Sequence, residues 1–306
     1  MKKNLVSISA VVAMIALTAT FSACSSDDDG QKSSTRGTLI LDADKAGYVD
    51  SEESGTRAIS VTGDVLKTFW TTSDLVTVYK NNWQNKVGEL HPKSDTSEEA
   101  TPTRTKLEGE NFITDGLKEG DALNLIYPRA TWEYTNQDGT WETISKNYDY
   151  ATANVSVVYI DASANNKVYG TTALFGAAQQ AIARFTLLDT NNTAFNTTEL
   201  TITTAGNQLV KKCSLNGTAT DKGGALVIKP SAATNVFYVA IRNDNEGADQ
   251  YTLTAKGSDG KVYSYTKSNV TLNKGTFKKY KVKMKLQDDT YTERDAYLDG
   301  GEEVWE

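Results

Sequence analysis

The sequence predicts an all-β protein built as two antiparallel β-sandwich domains in tandem. Three observations carry this. Short segments of alternating apolar and polar residues recur along the chain, separated by Gly, Asn and Asp turns. After the first few tens of residues, no window sustains apolar residues at i, i+3, i+4 and i+7 over three turns, so no long amphipathic helix is expected. The composition holds only four prolines but 15 tyrosines. Thr and Val are also abundant, a mix that favours strands over helices or a disordered stalk.

The N-terminus is a targeting device. Lys2 and Lys3 precede an apolar run, Val6 to Thr20, that is short and rich in Ser, Thr and Ala. Phe21-Ser22-Ala23-Cys24 follows, then Ser25-Ser26-Asp27-Asp28-Asp29. The order resembles the bacterial lipobox, in which cleavage falls between Ala23 and Cys24 and the new N-terminal thiol carries lipid such as palmitate. An ordinary secretory signal and an uncleaved anchor are the competing readings. The acidic run after Cys24 resembles the export signal of Bacteroidetes surface lipoproteins, and as a plain acidic linker it is simply soluble. Residues 1–23 are thus expected to be a signal peptide. Residues 24–36, polar and without apolar period, are expected to be a flexible tether.

The remaining chain is long enough for about two domains of ~100–200 residues. Thr38-Leu39-Ile40-Leu41-Asp42-Ala43 is the first strand, bounded by Gly37 and the charged pair Asp44-Lys45. A polar connection through Asp50 to Gly55 leads to Thr56-Arg57-Ala58. Asp74–Lys80, Ala122–Tyr127 and Val155–Ile160 are the next strands. Tyr127 to Tyr150 is an aromatic loop or long hairpin carrying Trp132 and Trp141. Ala173–Ala183 is the nearest approach to a helical turn.

A second run of strands follows: Ala181–Leu188, Leu200–Thr204, Leu209–Leu215, Ala225–Lys229, Val236–Arg242, Tyr251–Ala255 and Val262–Thr266. Ser258-Asp259-Gly260 is a tight-hairpin signal between the last two. Lys279 to Leu286 is the cleanest alternation, with Tyr280, Val282, Met284 and Leu286 against four lysines, as in a strand of an antiparallel sheet with one wet face. A composition shift at Gly170–Gly176 places the boundary, giving domains at 37–172 and 173–287. The tail, 288–306, is acidic, with aromatics that suggest docking.

The same residues exclude several functions. A net charge of −7 disfavours nucleic-acid binding. A His-based zinc site or a Ser-His-Asp triad would have to use the one histidine, His91, which sits beside a proline in a polar loop, and neither is expected. No phosphate-binding Gly loop, metal-ligand cluster or dinucleotide fingerprint is present, so no cofactor is expected. The carboxylates are many, but no spacing selects a hydrolytic pair, and an enzyme is not expected. Cys213 is left without a partner once Cys24 is committed to lipid, and is expected to pack as a small apolar residue.

Taken in order, the lipobox, the tether, the first strand and Thr56-Arg57-Ala58 form a series. It continues with Trp70 ahead of Asp74-Leu75-Val76-Thr77-Val78-Tyr79, Gly120-Asp121 with Ile126-Tyr127-Pro128, and Gly275-Thr276-Phe277-Lys278-Lys279-Tyr280. This series resembles the fimbrillin-like proteins of Bacteroidales over most of the mature chain. Ser73 departs from the glycine usual there. The resemblance implies transthyretin-like sandwich domains and a fimbrial (pilus) subunit at the outer membrane, in stalk, tip or anchor position. It further implies that an arginine-directed protease cuts between Arg57 and Ala58 and releases Thr38–Ala43 with the lipid. A strand from another pilus subunit then fills the groove, supporting adhesion. Arg36 is a second candidate cut. The alternative is a surface glycan-binding lipoprotein that presents Trp132 and Trp141 to sugar rings.

Overall fold

A computed structural model describes residues 35–46, 49–50, 60–62, 65–67, 69–97, 101–245, 247–287 and 303–305. The chain divides into a unit of residues 1–33 and a unit of residues 34–306. Ala23 and Cys24, in the first unit, lie outside the described residues, as do Arg57 and Ala58 in the second. Among the described residues no helix is long and apolar enough to cross a membrane.

The regular structure described in the second unit is nearly all β. Its first part holds β1 (Arg36–Lys45), β2 (Val49–Asp50), β3 (Ser60–Thr62), β4 (Val65–Lys67), β5 (Val76–Lys80) and β6 (Asn85–Pro92). It continues with β7 (Arg104–Ile113), β8 (Ala122–Tyr127), α1 (Trp141–Asn147), β9 (Ala151–Asp161), β10 (Lys167–Gly170) and β11 (Ala173–Phe175). After these come β12 (Ala181–Leu188), β13 (Thr197–Thr204), β14 (Val210–Cys213), β15 (Ala219–Lys222), β16 (Leu226–Ile228) and β17 (Val236–Ile241). The last are β18 (Asp249–Gly257), β19 (Val262–Val270), β20 (Thr276–Lys283), β21 (Lys285–Leu286) and β22 (Glu303–Trp305).

The first part is a closed barrel, where the sequence predicts a two-sheet sandwich. The strand order β10-β9-β8-β5-β6-β7-β1 returns on itself, because β1 also pairs with β10. Closure follows from β1 having partners on both sides. It lies antiparallel to β7, and on its other side parallel first to β10 and then to β11. A sheet closed this way has no free edge to protect. Inward side chains, among them Leu39, Leu41, Val76, Val78, Leu107, Leu123, Leu125, Val155 and Val168, fill it with Trp70 and Phe175.

The second part is a two-sheet sandwich. One sheet runs β17-β12-β20-β2 with β22 also on β20, and the other runs β16-β13-β18-β19-β21. Both contribute to one buried cluster, with Phe185, Phe237 and Tyr280 from the first sheet and Leu200, Ile202 and Leu253 from the second. The hairpin at Ser258-Asp259-Gly260 closes β18 onto β19, with Gly260 at φ +80°. The Lys279–Leu286 alternation is present in the burial of Tyr280, Val282 and Met284. Its partners are not those of an antiparallel sheet: β20 is parallel to β12, β2 and β22. The strand also changes sheets near Met284, whose N–H reaches Leu188 O, and β21 then pairs with β19.

The two cores divide the chain elsewhere than at residues 172/173. Ala173 and Phe175 belong to the barrel core, and Ala173–Phe175 is strand rather than a helical turn. Trp132, Tyr134, Ile144, Tyr148 and Tyr150 belong to the sandwich core. The aromatic stretch is no hairpin. It carries α1, the one helix among the described residues, capped by Thr140, whose side chain accepts from Thr143 N.

Candidate functional site: the first strand and its groove

The expected strand Thr38–Ala43 extends two residues further at each end, to Arg36–Lys45. The period-2 geometry of a strand sends Gly37, Leu39, Leu41, Ala43 and Lys45 inward, and all are buried. Leu39 is 0% exposed, and Leu41, Ala43 and Lys45 are each 2% exposed. The outward face is charged. Asp42 pairs with Lys106 at 3.4 Å, and Asp44 with Arg104 at 2.9 Å.

At the upper end of the groove the backbone just before β10 comes close. A Cβ built on Gly37 would stand 2.1 Å from Asn166 O, so only glycine fits there. Gly109, which opposes Leu39 on β7, is equally constrained, with a Cβ position 2.0 Å from Glu89 O. The Gly109 approach packs β7 onto β6, and β1 itself lies between the main chains of β7 on one side and of β10 and β11 on the other.

The lower end of the groove is a cage around the Lys45 ammonium. Lys45 Nζ lies 3.0 Å from Asp74 Oδ2 and 3.5 Å from Phe69 O. It stands 3.6 Å from the Trp70 ring centroid and 3.9 Å from that of Tyr127. Both rings present their negative faces to the cation. Trp70 packs edge-on to Tyr127 and Phe175, each at 5.7 Å. Its indole Nε1 donates to Thr103 O at 2.7 Å, and its backbone N–H donates to Thr96 Oγ1. The Thr96 hydroxyl donates in turn to Pro102 O. Asp74 also accepts from Thr71 N, Thr71 Oγ1 and the Tyr127 hydroxyl. Trp70, Asp74 and Tyr127 are quoted in the sequence series. That they meet around Lys45 is a finding of the structure.

Of the residues expected to contact sugar, Trp132 is 2% exposed. It stacks on Tyr150 at 5.3 Å and donates to the Tyr134 hydroxyl, so neither of its faces is free for a ring. Trp141, half-buried on α1, packs edge-on to Tyr238 at 5.3 Å. Trp132, Tyr134, Tyr148 and Tyr150 build the sandwich core, with Trp141 packed against it, instead of a surface platform. Cys213 is buried, and Arg242 Nη1 lies 3.3 Å from its sulfur. Burial pushes its thiol pKa up, which keeps it protonated. Among the described residues no group of three or more His, Cys, Asp or Glu side chains is placed to hold a metal.

No protein-family model matches the chain, and no curated protein matches it. Solved structures do. One, described as a candidate cell adhesion protein from Bacteroides ovatus, is 14% identical with a TM-score of 0.44, over 81% of this chain and 94% of that one. A second, described likewise, from Bacteroides fragilis, is 11% identical with a TM-score of 0.40, over 87% and 99%. The fimbrial anchor protein Mfa2 from Porphyromonas gingivalis is 10% identical with a TM-score of 0.33, over 75% and 82%. These identities and scores are too low to carry a functional argument.

Proposed function

We propose that the chain is a lipid-anchored, surface-exposed pilus subunit that joins its neighbours by exchanging its first strand. The observation that carries this is the position of β1. It has hydrogen-bonded neighbours on both sides, and its inward side chains sit in the barrel core. It also precedes Arg57, so one cut there severs it from everything that follows. The same cut releases β2, which pairs with β20 in the sandwich.

Losing β1 takes Leu39 and Leu41 out of the barrel core, worth ~1.5–3 kcal/mol each when buried, and uncovers the apolar side chains left behind in that core. It also leaves backbone N–H and C=O groups of β7, β10 and β11 unpaired. A groove with both defects binds a replacement strand by β-augmentation. Cys24 carries the lipid, and residues 24–36 form the tether. The role is adhesion through assembly, in stalk, tip or anchor position, with other pilus subunits as partners and no cofactor.

An arginine-specific protease tests the proposal. Treatment of the purified chain should give a core beginning at Ala58 that assembles, alone or with other pilus subunits. The Arg57→Ala chain should stay monomeric under the same treatment. A trimmed core that stays monomeric in every mixture defeats the proposal. Intact mass should show a lipid adduct on Cys24, and an unmodified Cys24 in the native organism defeats the anchor.

A further inference from the structure

Lys45 is the last residue of the strand proposed to leave, and the one charged side chain on the inward face of β1. A buried ammonium is costly unless paired, and here the pairing is complete: carboxylate, carbonyl and two ring faces surround it. When β1 departs, Asp74, whose side chain is 14% exposed with Lys45 in place, loses that cation. Trp70 and Tyr127, both buried while β1 is in place, are left facing an empty site shaped for a cation.

Resting on the strand-exchange reading, we infer that the Asp74–Trp70–Tyr127 cage is a cation-reading subsite that selects the incoming strand and sets its register. The partner segment carries a lysine at the position Lys45 now fills. An apolar residue there would leave the Asp74 carboxylate with its neutral donors, Thr71 and Tyr127, but without its counter-charge. An acidic residue would face it at close range. The compact ammonium suits a site that offers one carboxylate oxygen at 3.0 Å and two ring faces under 4 Å, where the wider guanidinium fork does not.

The rest of the groove fixes the remaining positions. Moving back along the strand by twos, the inward places hold Ala43, Leu41, Leu39 and Gly37. The partner strand, running as β1 runs, therefore reads glycine, large apolar, large apolar, small, lysine at every second residue. The glycine is demanded by Asn166 O at one end, and the lysine by the cage at the other. A slip of one residue turns the cation out to solvent. A slip of two in one direction puts the small residue, Ala43, in the cage, and a slip of two in the other puts a large one, Leu39, against Asn166. The cage thus converts a nonspecific backbone groove into one that discriminates between subunits.

The test uses the full chain, cut between Arg57 and Ala58 and not fractionated, so that β1 remains in place until displaced. The probe is a fluorescein-labelled peptide of residues 36–45, RGTLILDADK. Its comparison is the same peptide with the terminal lysine replaced by norleucine. Uptake is followed by anisotropy. The lysine peptide is expected to bind about 100-fold tighter than the norleucine peptide, as for removal of one partner of a buried pair. In the Asp74→Asn chain that ratio should fall below about 10. Equal uptake of both peptides, within about threefold, overturns the cation subsite and leaves strand exchange standing. Uptake of neither peptide overturns strand exchange, and the inference with it.

Discussion

Gln137 pairs with Ala240 as another strand would. The Gln137 Oε1 accepts from Ala240 N at 2.8 Å, and its Nε2 donates to Ala240 O at 2.9 Å. The same Nε2 donates to Tyr134 O at 2.7 Å, and nearby Tyr238 N reaches Gly139 O. β17 is the end strand of its sheet, and this side-chain amide with the 137–139 backbone covers its edge.

Gln137 is 2% exposed, so replacing it by alanine leaves the Ala240 N–H and C=O buried without these partners. At ~1–3 kcal/mol per unsatisfied group, Gln137→Ala should cost about 3 kcal/mol or more. Urea unfolding checks this: the midpoint should drop with the slope unchanged. An unchanged midpoint would mean that the edge is satisfied in another way.

Trp132→Ala should behave as a core deletion, not as loss of a ligand contact. The ring stacks on Tyr150 and lies against Gly217, whose built Cβ would stand 2.9 Å from it. Gly217 has φ +83°, so it is held in place by its backbone as well. A loss of ~3–5 kcal/mol is expected. Thermal unfolding measures it. A variant of wild-type stability would show that the stack contributes little.

What could be read from the chain was local. Alternation placed the faces of the strands, down to Tyr280, Val282 and Met284 pointing inward. It could not name neighbours. β20 pairs with β12 and β22, and β1 with β10, across long stretches of chain, and no periodicity encodes which strand lies beside which. The barrel was therefore invisible, since it rests on that one β1–β10 pairing. α1 was missed because seven residues with one buried side chain, Ile144, make no stripe. Its trace was Asp138, which accepts from Thr140 and Thr143 at the cap. Lys45 was hidden by its charge. Asp44-Lys45 looks like the end of a strand, and the rings that make a buried lysine stable come from Trp70 and Tyr127, brought in by other parts of the fold.

Asp249 should set part of the acid limit of stability. Burial alone would raise its pKa. Hydrogen bonds to the ionised form from Asn243 Nδ2, Gly206 N and Gln250 N outweigh that and hold it below the ordinary carboxylate value. A group depressed on folding stabilises the native state above its unfolded pKa and loses that contribution as pH falls through its folded pKa. Asp249→Asn should thus be less stable than the wild type at pH 7. The gap should narrow as pH drops below about 4, near the unfolded aspartate value. Urea midpoints across pH 2 to 7 in both chains test this, and a gap independent of pH would refute it.

The outer edge of β20 is shared between two short strands of distant origin. β2 pairs with Thr276 and Phe277, and β22 from the tail pairs with Tyr280, Lys281 and Val282. A chain ending at Gln287 leaves the second stretch open, and an open edge pairs with another copy. The lysines of β20 at 279, 281 and 283 oppose such pairing, because two copies would bring like charges together. The acidic tail removes both problems, since it closes the edge and carries opposite charge. The truncated chain should therefore self-associate, and more so as salt screens the lysines, with a Debye length of ~10 Å at 0.1 M falling to ~3 Å at 1 M. Sedimentation should show dimers growing with ionic strength in the truncated chain and a salt-independent monomer in the intact one. A truncated chain that stays monomeric at high salt would mean that the β20 edge does not need the tail to cover it.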